Sequence, residues 1–132
     1  MKVLMLLLAL VFFVQSCSNE DLGNDVTGTQ SGNFLNPNVP YNPNPPDSST
    51  GVDRLIELSW KGADPNEFDT VRYDVYLGTS AFPNILVSYN LLDSSYDAGL
   101  GAANTTYYWR IVAKDNHGLF TDGPVWQFTT GN

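Results

Sequence analysis

The sequence predicts an all-β fold, an antiparallel β-sandwich, between residues 40 and 132. From Asp53 onward, several segments have apolar residues at every second position with polar residues between them. This is the pattern of strands with one buried face. Turn-forming residues separate these segments, and no stretch shows the apolar period and caps of a helix. Aromatic residues make up 13% of the chain, which is enough to build a core.

Four segments carry the alternation. In residues 54–60, Ile56, Leu58 and Trp60 fall on one face, and polar side chains take the other. The other predicted inward sets are Val71, Tyr73, Val75 and Leu77; Tyr107, Trp109, Ile111 and Ala113; and Trp126 with Phe128. Turns are predicted at residues 64–69, 78–80, 97–104 and 115–118.

The N-terminal residues 1–16 are predicted to be a signal peptide. Lys2 precedes a run of twelve apolar residues, from Val3 to Val14. The alternative is a transmembrane anchor, but a spanning helix needs about 20 apolar residues. We therefore exclude this segment from the fold.

Residues 14–17, with the sequence VQSC, resemble the lipobox of bacterial lipoproteins. The resemblance implies cleavage before Cys17, a diacylglycerol on its sulfur and a further acyl chain on its amine. Gln15 departs from the small or hydroxylated residue usual at its position. The alternative is an ordinary lone thiol, which is a liability in an oxidising compartment. With two or more acyl chains, Cys17 would anchor the chain stably to a membrane.

Residues 17–39 are predicted to form a flexible tether, since they are rich in Asn, Pro, Ser and Gly and poor in apolar side chains. The tether begins with Ser18-Asn19-Glu20-Asp21. This stretch loosely resembles the acidic export signal that sends some Gram-negative lipoproteins to the cell surface. We therefore expect a lipid-anchored protein of the outer membrane, with surface exposure left open. The alternative is a plain polar linker.

Four stretches resemble the B, C, F and G strands of fibronectin type III domains, particularly the bacterial ones. They are LSW at 58–60, YDVYLGTS at 73–80, TTYYWRIVAKDNHG at 105–118 and GPVWQFTT at 123–130. The resemblance implies a seven-stranded, immunoglobulin-like sandwich over residues 40–132, with the first strand near residues 41–46.

The same resemblance assigns roles to individual residues. It places Trp60 on strand B and Tyr73 on strand C. It also implies a corner before strand F, formed by Leu100 and Tyr107, in which the tyrosine hydroxyl bonds to backbone upstream. The spacing of these two residues is one longer than usual.

Composition argues against several classes of function. Acidic residues outnumber basic ones by 14 to 6, giving a formal charge of −8, and the basic residues are scattered. Nucleic-acid binding is therefore not expected. His117, the only histidine, lies in a predicted exposed turn without an evident nucleophile. We predict no catalytic residue, no enzyme activity and no cofactor.

Outward-facing aromatic residues are the candidate ligand-binding site. By strand parity, Tyr76, Tyr108 and Arg110 point outward on neighbouring strands, and Phe120 lies in the segment that follows. They can stack on a sugar or seat a peptide. The alternatives are a cross-strand and cation–π cluster that only stabilises the sheet, and a core plug formed by Leu119 or Phe120.

The acidic segment 64–69 is the only candidate for metal binding. Its three carboxylates, from Asp64, Glu67 and Asp69, make calcium conceivable, but the spacing of an EF-hand loop is missing. An acidic turn between strands B and C is the preferred interpretation, so no metal site is predicted.

The resulting prediction is a non-enzymatic cell-envelope lipoprotein, an interaction, adhesion or display module held on the membrane through Cys17. Its partner is an unidentified protein or glycan. Two alternatives stay open: a carbohydrate-contacting accessory protein that uses the exposed aromatic face, and a passive structural spacer.

Overall fold

The computed structural model describes residues 33–132, so the predicted signal peptide, Cys17 and residues 18–32 of the tether lie outside the described residues. Within residues 33–132, no helix has the length and hydrophobicity needed to cross a membrane. The nine strands of this part are β1 (Tyr41–Asn44), β2 (Ser49–Val52), β3 (Leu55–Lys61), β4 (Arg72–Gly78), β5 (Leu86–Leu91), β6 (Ser95–Leu100), β7 (Thr106–Lys114), β8 (Phe120–Asp122) and β9 (Trp126–Thr130).

These strands form two sheets, which confirms the predicted β-sandwich. The smaller sheet has the order β1-β3-β6, and the larger has the order β2-β9-β7-β4-β5, with β8 paired to β7. Nine strands replace the expected seven because the first strand is divided into β1 and β2 and because β8 is added beside β7. The division lets the chain contact both sheets, since β1 pairs with β3 and β2 pairs in parallel with β9.

The core lies between the sheets and contains the residues predicted to face inward. Leu58, Val75, Trp109 and Phe128 are fully buried. The ring of Trp109 lies 4.8 Å from that of Trp126, centroid to centroid. The predicted alternation therefore assigned the buried faces of β3, β4, β7 and β9 correctly, because each of these strands has one face on the core and one outside it.

The predicted turn at residues 97–104 is partly wrong, because its first half belongs to β6. This strand pairs with β3 from Leu55↔Leu100 to Ser59↔Ser95. Its sequence contains residues typical of turns, and Gly99 has a φ of +72°. Strand pairing outweighs those local signals.

The corner before β7 is half confirmed. The hydroxyl of Tyr107 accepts a hydrogen bond from the backbone N–H of Ala102 at 2.9 Å, as the resemblance implied. Leu100, however, is 69% exposed and is not the buried leucine of the corner. Ile56 takes that space, since its side chain and that of Tyr107 both pack beside Gly101.

Residues 33–39, which the sequence assigns to the tether, belong to the compact unit formed by the described residues. Residues 33–39 lack the alternation of a strand, but their backbone is hydrogen-bonded to distant loops. The N–H of Asn38 donates to the carbonyl of Ala63 at 2.9 Å, and the carbonyl of Pro37 accepts from Thr121 Oγ1 at 2.7 Å. The last residues of the predicted tether are therefore fixed to the sandwich.

Candidate functional site

The outer face of the larger sheet carries three of the residues singled out in the sequence. Tyr76 of β4 pairs directly with Arg110 of β7, and Tyr108 of β7 pairs with Gly78. Trp109, between the two β7 residues, is fully buried in the core. Since neighbouring side chains of a strand alternate between its faces, Tyr76, Tyr108 and Arg110 share the outer face.

Arg110 is held by contacts within the protein. Its guanidinium carbon lies 3.9 Å from the centroid of the Tyr76 ring. Its Nη1 forms an ion pair with Asp122 Oδ1 at 2.8 Å, and its Nε donates to the carbonyl of Pro83 at 3.3 Å. The cation–π contact foreseen as the stabilising alternative is thus present, and Arg110 joins β4, β8 and the loop between β4 and β5.

Aliphatic residues that the sequence did not single out extend this surface. Leu86 of β5 pairs with Tyr76, and Ile85 lies close to Gly78 on the same face. Ile85 is 61% exposed and Leu86 is 45% exposed. The outer-face patch is defined here as Tyr76, Ile85, Leu86, Tyr108 and Arg110.

The loop between β4 and β5 borders the outer-face patch and exposes one more aromatic ring. Phe82 in this loop is 85% exposed. Its neighbour Pro83 is the residue whose carbonyl contacts Arg110. The available sequence signal was the stretch 82–85, in which two large apolar residues, Phe82 and Ile85, lie in a connection without strand alternation.

Phe120 lies at the β8 edge of the same face, since it pairs with Lys114. Lys114 Nζ lies 4.3 Å from the ring centroid of Tyr89 and 2.7 Å from Asp74 Oδ2. Phe120 is 57% exposed, so it is not a core plug. This second cation–π contact connects β5 to β7, and Phe120 is not part of the outer-face patch.

His117 is exposed in the turn between β7 and β8, as the sequence predicted, and it also has several contacts. Its ring stacks on that of Phe34 with 3.8 Å between centroids, and its Nε2 lies 2.9 Å from Asp69 Oδ1. Neither partner is a hydroxyl or thiol side chain. Asp69 in turn lies close to Asp64 and Asp115, while Glu67 of the same predicted acidic turn is not part of the cluster.

The comparisons with known proteins concern the fold. No family model matches the sequence, and no curated protein matches it. The structure is similar to an Fn3-like protein from Clostridium thermocellum, with a TM-score of 0.53 and 21% identity over 74% of this chain and 97% of that chain. It is also similar to part of an α-L-rhamnosidase from Dictyoglumus thermophilum, with a TM-score of 0.52 and 18% identity.

The second similarity covers 75% of this chain but only 13% of the rhamnosidase chain, so it concerns one domain of that enzyme. Both similarities concern the fold of the described part, whose strands form two sheets. The described part of the chain therefore has a fibronectin type III-like β-sandwich fold.

Proposed function

We propose that this protein is a non-enzymatic lipoprotein of the cell envelope whose head binds a protein partner through the outer-face patch. The observation that carries the proposal is the exposure of Ile85 and Leu86 beside Tyr76 on one sheet face. Exposed apolar side chains that lie next to one another, bordered by polar groups, are typical of interaction sites.

A protein partner fits the outer-face patch better than a glycan does. Arg110 already covers one face of the Tyr76 ring, and that face is therefore not accessible to a sugar. Ile85 and Leu86 offer aliphatic surface, which contributes to binding mainly by burial against other apolar groups. Arg110 adds a polar group at the border of the patch. Because its guanidinium is already held by contacts within the protein, binding a partner would cost little further side-chain entropy at this residue.

Attachment through Cys17 is supported by the sequence, in which Cys17 directly follows the apolar run of the signal peptide. After cleavage, residues 18–32 would separate the acylated cysteine from the compact unit formed by the described residues. The composition of residues 18–32 predicts a tether between the lipid and the head. The proposed location is the outer membrane, with the head available to a partner.

The anchor is tested with Cys17→Ser in the full chain. We expect the wild-type protein in the membrane fraction and the variant in the soluble fraction, because the variant has no sulfur to accept the lipid. Retention of Cys17→Ser in the membrane fraction would show that the lipid does not hold the protein.

The binding surface is tested by crosslinking intact cells and recovering the full, lipidated chain. Ile85→Asp places a charge in the outer-face patch. Leu55→Asp is the matched control, since Leu55 is 70% exposed on the smaller sheet and Ile85 is 61% exposed. We expect one envelope protein to be recovered with the wild type and with Leu55→Asp, and to be lost with Ile85→Asp at an unchanged melting temperature.

Two outcomes would contradict the proposed surface. Recovery of the same partner with Ile85→Asp would place the contact elsewhere. Recovery of no partner with the wild type would favour the spacer if a glycan panel also leaves the tyrosine fluorescence unchanged. A fluorescence shift in the wild type that is absent in Tyr108→Ala would instead favour the carbohydrate-contacting alternative.

A further inference from the structure

Three carboxylates from two loops meet at one end of the sandwich. Asp64 and Asp69 belong to the loop between β3 and β4, and Asp115 begins the turn between β7 and β8. One oxygen from each of the three lies within 4.8 Å of one oxygen from each of the others. Like charges at this separation repel one another, so the arrangement requires a compensating interaction.

Each carboxylate uses one oxygen in a hydrogen bond within the protein. Asp64 Oδ1 accepts from the N–H of Asn66 at 2.8 Å. Asp115 Oδ1 accepts from the N–H groups of His117 and Leu119, both at 2.8 Å. Asp69 Oδ1 is bound to His117 Nε2 at 2.9 Å. The three side chains are therefore fixed in position before any ligand arrives.

The second oxygen of each carboxylate has no partner. Oδ2 of Asp64, of Asp69 and of Asp115 is buried and makes no hydrogen bond within residues 33–132. The Asp69 side chain is only 8% exposed, so water has little access to it. Buried carboxylate oxygens without a donor are rare in folded proteins, because burial removes their hydration.

Basic side chains of the described residues do not neutralise this cluster. The ion pairs of Arg110 and Lys114 are formed with Asp122 and Asp74, on the outer face of the larger sheet. In residues 33–132, His117 is the only side chain that can carry a positive charge and that contacts one of the three carboxylates. Three unpartnered oxygens therefore meet beside a single imidazole.

We propose that Asp64, Asp69 and Asp115 bind one calcium ion through their unpartnered oxygens. Calcium takes oxygen ligands at about 2.3–2.6 Å, so two of its ligands can lie up to about 5 Å apart. The three oxygens lie within 4.8 Å of one another, which is compatible with this span. Calcium also accepts irregular sets of carboxylates, whereas magnesium demands near-ideal octahedral geometry and usually keeps several waters. Waters and backbone carbonyls complete the six to eight ligands that calcium requires.

His117 and Asn66 connect this site to the start of the folded unit. His117 orients Asp69, as a hydrogen-bonded neighbour of a metal ligand does, and stacks on Phe34. Asn66 accepts a hydrogen bond from the N–H of Leu35 at 2.9 Å. The ion would thus fasten the loop between β3 and β4, the turn after β7 and the segment where the tether enters the head.

The test uses the full chain with Cys17→Ser, purified, treated with EDTA and then dialysed. Calorimetric titration with calcium chloride is expected to show one site per chain, and calcium is expected to raise the melting temperature. Asp69→Asn and Asp115→Asn should each weaken calcium binding at least tenfold, because each removes a charged ligand.

Asp53→Asn is the matched control. Asp53 Oδ1 accepts from the N–H of Leu55 at 2.9 Å, the same local hydrogen bond that Asp64 makes, at the opposite end of β3. This variant should bind calcium as the wild type does. The melting temperatures of Asp69→Asn and Asp115→Asn in EDTA should not fall below that of the wild type, which verifies that both variants fold.

The proposal is overturned if millimolar calcium produces neither binding heat nor a higher melting temperature. It is also overturned if Asp53→Asn loses calcium affinity as much as Asp69→Asn does, because binding would then reflect the overall negative charge. Equal affinity for magnesium chloride would contradict the choice of calcium.

Discussion

At the scale of single residues, the hydroxyl of Tyr107 ties the connection before β7 to the sandwich. It accepts from the N–H of Ala102 at 2.9 Å, while its ring stacks on Phe128 with 5.6 Å between centroids. Tyr107→Phe keeps the stacking and removes the acceptor. We expect a loss of about 0.5–1.5 kcal/mol in the free energy of unfolding, because a hydrogen bond is lost whose donor lies in an exposed connection and can bind water instead.

Urea denaturation of the full chain measures this loss. Tyr108→Phe is the control, since Tyr108 follows Tyr107 on the other face of β7 and does not belong to the corner. Its unfolding midpoint should equal that of the wild type. Equal midpoints for Tyr107→Phe and Tyr108→Phe would show that the Tyr107 hydroxyl does not stabilise the corner.

A second residue-scale prediction concerns alkaline pH. Burial raises the pKa of the Tyr73 hydroxyl above its ordinary value of 10.0. Tyr73 is 4% exposed and its ring meets that of Trp60 edge-on. The unfolded chain loses this proton near pH 10 while the native chain keeps it. The native state is therefore favoured fully below that pH and less as pH rises through the native pKa.

Stability measured by urea denaturation between pH 9 and pH 11 tests this linkage. We expect the wild type to lose stability more steeply than Tyr73→Phe, because the variant has no hydroxyl to titrate at this position. Parallel pH profiles for the two proteins would mean that the Tyr73 hydroxyl titrates alike in the folded and unfolded chains.

At the scale of elements, Arg110 of β7 connects β4 and β8, which both pair with β7 but not with each other. It stacks on Tyr76 of β4, pairs with Asp122 of β8 and binds the carbonyl of Pro83 in the loop after β4. Arg110→Ala is expected to lower the free energy of unfolding by about 1–2 kcal/mol, from the cation–π contact and the partly exposed ion pair together.

Hydrogen exchange shows where this loss falls. Amides of β8 and of the loop between β4 and β5 should exchange faster in Arg110→Ala, while those of β3 and β6 in the smaller sheet should be unchanged. Uniformly faster exchange in both sheets would show that Arg110 contributes to global stability and not to these local links.

The elements also show which features the sequence could predict. Alternation identified the buried faces of β3, β4, β7 and β9, because each strand is apolar on one face only. Ile85 and Leu86 were not recognised, because their place beside Tyr76 depends on how β5 pairs with β4, and a register shift occurs within that pair. Local sequence does not fix such a register.

At the scale of the whole molecule, the end that holds Asp64, Asp69 and Asp115 was beyond prediction for a similar reason. Four strands separate Asp69 from Asp115 in the sequence, and only the sandwich topology brings their loops together. The acidic segment 64–69 could be recognised in the sequence, but the place of Asp115 beside it could not. Residues 33–39 were assigned to the tether for the same reason. Their hydrogen bonds are formed with loops far along the chain, which local sequence does not reveal.

The central claim is that a partner binds the head at the outer-face patch, and a photo-crosslinker placed beside this patch tests it most directly. Phe82, which is 85% exposed, and Phe68, which is 92% exposed, lie in the loops at opposite ends of β4. Each is replaced in turn by benzoylphenylalanine in the full chain, and intact cells are illuminated. The account predicts an adduct with one envelope protein from position 82 and none from position 68. Equal adducts from both positions, or none from position 82, would contradict it.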